Sequence, residues 1–112
     1  MPFDDDYDKP EPTRDEVDAW PGMTVLEFGA SWCEHCQGAQ SDIRSVLEER
    51  TDLRHVKIAD GPGRPLGRSF RVKLWPTLIF LSKGRELARV VRPENESAIR
   101  QSLEQALAAS GT

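Results

Sequence analysis

The sequence predicts an α/β fold: a central mixed sheet of four strands with helices on both faces. Three observations carry this. Apolar patterns of strand and helix period follow one another as strand–helix–strand, then, after a Gly/Pro linker, as strand–strand–helix. The first half calls for a parallel pair joined by a right-handed crossover, and the second for an antiparallel hairpin backed by a helix. The 112 residues, 38% hydrophobic and 30% charged, make one domain with a core and a wet surface.

The elements follow in order. Residues 1–12 are rich in Asp and Pro and read as an acidic, mobile tail ahead of a folded domain over 13–112. Thr13-Arg14-Asp15-Glu16 has the form of a capping box, so a short helix should run to Trp20, a packing residue, and stop at Pro21-Gly22. Val25-Leu26-Glu27-Phe28 is a short strand, apolar except at Glu27. Beyond Cys33, the residues Ala39, Ile43, Val46 and Leu47 share one helical face, and that helix should end near Arg50. From Leu53 to Ile58 the pattern alternates, with Val56 and Ile58 on one side and His55 and Lys57 on the other, His55 being expected at the surface.

Gly61 to Gly67 forms a Gly/Pro loop. It lacks the glycine spacing and the Lys-Ser/Thr of a phosphate loop, and a short helix to Phe70 follows. The run 76–81 is a strand with Pro at its start, where a missing N–H is tolerated. Lys83-Gly84 makes a turn into a return strand over 87–91. Ile99, Leu103, Ala106 and Leu107 mark a final amphipathic helix, with Gly111 just past it.

Composition excludes several function classes. The formal net charge of −4 argues against nucleic acid or an anionic membrane surface as a partner. The local basic cluster Arg64, Arg68, Arg71 and Lys73 reads as a solvated face. No apolar run approaches the ~20 residues that span a bilayer, and residues 1–10 hold no signal-type apolar segment. These features point to the cytoplasm. Two cysteines cannot frame a disulfide-stapled scaffold, and in a reducing compartment a close pair is redox-active or metal-binding. A closed zinc site wants four ligands. Cys33, Cys36, His35 and His55 offer no second cysteine pair, so no metal is expected.

The chemistry sits in Trp32-Cys33-Glu34-His35-Cys36, where a strand ends and a helix begins. A cysteine at a helix N-terminus meets unpaired backbone N–H groups and the positive end of the macrodipole. Both favour the thiolate, the form that attacks disulfides. The three-residue step places Cys36 one turn below on the same side. Cys33 at the rim is then the nucleophile, and Cys36, facing inward, resolves the mixed disulfide.

These residues resemble the thioredoxin family. The resemblance lies in Phe28-Gly29-Ala30-Ser31-Trp32-Cys33-x-x-Cys36, in Trp75-Pro76-Thr77 further on, and in the Lys83-Gly84 hairpin. It spans roughly 23–108 and implies the thioredoxin fold and thiol–disulfide oxidoreductase activity. It also implies a cis Pro76 packed on the cysteines and a Trp75 backbone that pairs with an extended substrate segment. Glu27 falls where the family has a buried acid behind the resolving cysteine, and Lys57 where a lysine lies near that acid. A carboxyl in an apolar strand should have a raised pKa, which Lys57 would pull back down, and it could exchange a proton with Cys36. Trp32 and Trp75 are read as walls of a substrate groove, beside Glu34 and Pro76.

The departures carry expectations of their own. Glu34-His35 replaces the usual Gly-Pro. His35 can stabilise the Cys33 thiolate and raise the reduction potential, while Glu34 opposes it. Gln40 stands near the place of a helix-kinking Pro, and a fifth strand is expected only if residues 1–13 hide the family's first one. The leading expectation is a protein-disulfide reductase with no cofactor beyond its own cysteines. It should act as a monomer on disulfide-containing proteins and be re-reduced by a separate reductase or thiol donor. The alternatives are an isomerase- or oxidase-leaning relative, and a non-catalytic binding module using the groove beside Pro76.

Overall fold

In the computed structural model, residue 4 and residues 6–110 are described. The expected glycine beyond the last helix, Gly111, lies outside them. The elements are α1 (Arg14–Ala19), β1 (Met23–Gly29), α2 (Glu34–Leu47), β2 (Arg54–Ala59), α3 (Pro65–Ser69), β3 (Thr77–Ser82), β4 (Arg85–Val91) and α4 (Glu96–Ser110). The four strands form one sheet in the order β2-β1-β3-β4. β1 runs parallel to β2 and antiparallel to β3, which pairs antiparallel with β4. This is the mixed, helix-flanked sheet that the order of patterns required.

Local chemistry accounts for the boundaries. The Thr13 side chain accepts from the Glu16 N–H, and the Glu16 carboxylate accepts from the Thr13 N–H, so both halves of the capping box are made. Such a cap contributes about 1 kcal/mol. Lys83 and Gly84 both have positive φ (52° and 81°), the pattern of a tight two-residue hairpin turn. Asn95 caps α4 by accepting from the Ala98 N–H.

Strand period 2 sends alternate residues to two cores. Val25, Leu78 and Phe80 pack with Ile43, Val46 and Leu47 of α2 and Ile99, Leu103 and Ala106 of α4. Leu26, Phe28, Ile58, Ile79 and Leu81 pack on the other face with Val17, Leu66 and Phe70. Glu27 shares the face of Val25 and so lies under α2. His55 and Lys57, paired in register with Val25 and Glu27, lie on that same side.

This corrects the expected surface position of His55, which is only 3% exposed. The alternation along β2 is as read, but a strand paired in parallel is covered on both faces, so its polar side does not meet water. Part of that cover is the segment expected to be a tail. Its described residues lie along the outer edge of β2. The Asp4 carboxylate accepts from the Lys57 N–H, the Asp4 N–H donates to His55 Nδ1, and Tyr7 is only 6% exposed. Further along, Glu11 accepts from the Leu66 N–H. No strand forms among these residues.

Candidate active site

β1 delivers the chain to Gly29, and a turn over 30–32 leads into α2. Cys33 is the N-cap of α2, with extended backbone (φ −78°, ψ 119°). Its Sγ accepts from the Cys36 N–H at 3.1 Å, satisfying one of the unpaired donors of the first turn. A thiolate accepts such a bond more strongly than a thiol does. Both cysteines are free, with Cys33 7% exposed and Cys36 1%. Burial, followed by the neighbouring Cys33, pushes the Cys36 thiol up to about 12. The two sulfurs are thus chemically unequal: the inner one holds its proton and the outer one faces the rim.

The rim is aromatic. Trp32 is 72% exposed and meets Trp75 edge-on, with ring centroids 5.5 Å apart. Trp75 is fixed by its indole N–H donating to Asp60 at 2.9 Å, and it packs against Ala30, Cys33 and Cys36. The Trp75–Pro76 peptide bond is cis. Beside Pro76 opens a groove of about 570 Å³, lined among others by Glu34, His35, Asp42, Arg92 and Glu94. Arg92 closes one edge of it. Its backbone N–H donates to the Pro76 carbonyl at 2.8 Å, and its Nε donates to the Trp75 carbonyl at 2.9 Å. Arg92 does this with φ at 47°, a region that residues other than glycine seldom occupy.

Behind Cys36 lies Glu27, fully buried. One carboxylate oxygen accepts from the Tyr7 hydroxyl at 2.7 Å and from Gln40 Nε2 at 2.8 Å. The other meets His55 Nε2 at 2.8 Å. Since His55 Nδ1 accepts the Asp4 N–H, Nε2 carries the hydrogen and donates to Glu27. Burial pushes the Glu27 carboxyl up, but His55, Lys57 and Tyr7 outweigh it and hold the group below its ordinary value. This corrects the raised pKa expected from the strand alone. The expectation counted burial and one lysine, not three hydrogen-bond donors converging on the carboxylate.

Lys57 serves Glu27 partly through Gln40. Its Nζ donates to Gln40 Oε1 at 2.5 Å and lies 4.9 Å from the centre of the Tyr7 ring. Gln40 also donates back to the Cys36 carbonyl. A second cavity, about 330 Å³, reaches Cys36 from this side, lined by Asp6, Tyr7, Asp8, Ser31, Gln40 and Lys57 among others.

The structure therefore gathers Cys33, Cys36, Trp32, Trp75 and Pro76 at one end of the sheet. Glu34 and His35 stand on the groove, and Glu27 and Lys57 lie beneath. Sequence reasoning missed Tyr7, His55 and Arg92 as site residues and gave Gln40 no role. Gln40 had signalled itself as a substitution for a proline, and Tyr7 as the one tyrosine of the chain. Among the described residues no group of three or more His, Cys, Asp or Glu is arranged to hold a metal ion. No described helix is long and apolar enough to cross a membrane.

Comparison with known proteins places this geometry. The thioredoxin family model matches residues 10–105. A solved structure of thioredoxin 2 from Pseudomonas aeruginosa PAO1, in its reduced form, is 46% identical, with TM-score 0.78 over 96% of this chain and 98% of that one. Thioredoxin-2 of Saccharomyces cerevisiae is 31% identical over 72% of this chain and 77% of its own length. Thioredoxin H2 of Arabidopsis thaliana is 26% identical over 62% of this chain, which spans 52% of that protein. The chain thus covers about half the length of the first curated relatives it matches.

Proposed function

Because the chain belongs to the thioredoxin family, we propose that it is a thiol–disulfide oxidoreductase that reduces disulfides in protein substrates. Cys33 attacks and Cys36 resolves. The observation that carries this reading is the inequality of the two sulfurs. One caps a helix and accepts a backbone N–H, and the other is buried directly behind it with its proton retained.

The Cys33 thiolate attacks one sulfur of the substrate disulfide. A Cys33–substrate disulfide forms, and the first substrate thiolate leaves. Cys36 then loses its proton and attacks Cys33 Sγ. The Cys33–Cys36 disulfide forms, and the second substrate thiolate leaves. Two electrons pass to the substrate, and a separate reductase or thiol donor returns them, so no further cofactor is required. Glu27, as a buried carboxylate beside Cys36, is the acceptor for the Cys36 proton, and His55, with Lys57, keeps it anionic in the resting state. Trp32 and Trp75 flank the substrate, and the Trp75 backbone pairs with its extended chain once Arg92 has moved off the carbonyl. We place the protein in the cytoplasm, acting as a monomer.

Insulin reduction tests the assignment. Cys33→Ser should abolish turnover, and Cys36→Ser should accumulate substrate mixed disulfides detectable by mass spectrometry. Turnover retained by Cys33→Ser would refute it. A second reading, an isomerase- or oxidase-leaning protein, is favoured by His35 on the groove in the first turn of α2. A glutathione titration separates the two. A potential near the roughly −270 mV of thioredoxin supports the reductase, and one well above it supports the alternative.

A further inference from the structure

We propose that Tyr7 is the proton relay between Cys36 and Glu27, carried to the site by the segment that covers β2. This rests on the reading of Glu27 as the proton acceptor given above. Two observations place the phenol between the groups. Its hydroxyl donates to Glu27 at 2.7 Å, and its side chain lines the same cavity as Cys36. Independently, a side chain on Gly29 would put its Cβ 2.6 Å from Cys36 Sγ and 2.8 Å from the Tyr7 hydroxyl. The two atoms therefore crowd the same point beside the β1 backbone, and only a glycine leaves them room.

The groups facing the phenol come from three elements: Glu27 from β1, Cys36 from α2, and Lys57 from β2, with the ammonium against the ring. On its own segment, Asp6 and Asp8 line the same cavity. Beyond Glu27 stands His55. Burial, the Glu27 carboxylate and Cys36 all push the phenol far above its ordinary value, so the hydroxyl stays neutral and passes a proton without storing one. As the Cys36 sulfur attacks Cys33 Sγ, its S–H proton moves to the Tyr7 oxygen while the Tyr7 proton moves to Glu27. The new S–S bond forms as the bond from Cys33 to the substrate sulfur breaks, and the substrate leaves as a thiolate. Glu27 later returns its proton to solvent.

Stopped-flow reaction of the reduced protein with one equivalent of 5,5′-dithiobis(2-nitrobenzoate) separates the steps. The first chromophore released reports Cys33 attack and is bimolecular. The second reports Cys36 resolution and is unimolecular. Tyr7→Phe keeps the ring and removes the hydroxyl. It should leave the first phase unchanged and slow the second by about 10²-fold at neutral pH, the low end of general-base effects. With the relay gone, the second phase should climb with hydroxide, whereas the wild-type phase should stay flat between about pH 6 and 9. Glu27→Gln should slow the second phase as well. If Tyr7→Phe resolves within twofold of wild type while Glu27→Gln is slow, the relay is wrong and the Glu27 reading stands. If Glu27→Gln is also unimpaired, both fall. A slow Tyr7→Phe beside a normal Glu27→Gln overturns transfer to Glu27. Should Tyr7→Phe fail to fold, a wild-type second phase that rises about tenfold per pH unit across that range overturns the relay by itself.

Discussion

Replacing His55 with Ala removes the donor to one oxygen of Glu27 at a site where both side chains are fully buried. Leaving a buried charged acceptor short of a hydrogen-bond donor costs about 3 kcal/mol or more. Here the lower end applies, because Tyr7 and Gln40 still donate to the other oxygen. The expected loss at pH 7 is about 3 kcal/mol, or about 12 °C in Tm for a domain of this size. Acid should narrow the gap. In the wild type the Glu27 carboxyl is held below its ordinary value, so its contribution is complete above the unfolded value of about 4.3 and is lost as the pH falls through the lower folded value. In His55→Ala, burial is less well opposed and the folded value rises, so the variant recovers relative to wild type on acidification. Urea denaturation at pH 7 and at steps down to pH 4 measures both effects. Adding Glu27→Gln to His55→Ala should restore part of the loss, with a coupling energy of at least about 1 kcal/mol. A deficit below about 1 kcal/mol at pH 7, or one that does not shrink in acid, would refute the account of Glu27 as a carboxylate held by its donors.

Two further outcomes follow from the close contacts of the site. Gly29→Ala inserts a methyl group against Cys36 Sγ and the Tyr7 hydroxyl, and should destabilise the reduced protein by about 1–3 kcal/mol in denaturant melts, as overpacking does. Arg92→Gly uncovers the Trp75 carbonyl and relieves a left-handed backbone worth about 1–2 kcal/mol. It should lower the KM for insulin and leave kcat unchanged, whereas a raised KM would show that Arg92 grips substrate rather than shielding the carbonyl.

The fold and the outer half of the site were legible because they are written in local pattern. The strand-to-helix junction at Cys33, the Pro at the start of β3 and the Lys83-Gly84 turn each announce themselves within a few residues. The inner half depends on tertiary neighbours. His55 was misplaced because period 2 tells which side of β2 a residue takes, not whether that side is wet. Glu27 was recognised as buried, yet its pKa direction followed from His55 and Tyr7, donors 28 and 20 positions away in sequence, together with Lys57. Tyr7 sits among Asp and Pro residues whose composition argues for solvent, and only the unoccupied outer edge of β2 gives it somewhere to go. Arg92 carries no motif. Its part becomes visible only when β4 ends beside Trp75.

The cover over β2 is fastened by side chains, where another strand would be fastened by a ladder of backbone bonds. The outward amide of Lys57 donates to the Asp4 carboxylate. A seal of this kind lifts by local opening, without disturbing the strands beneath. Water would then reach the inner sulfur and its carboxylate whenever the segment breathes. Amide exchange at that one position would therefore time how often the reaction chamber is flooded.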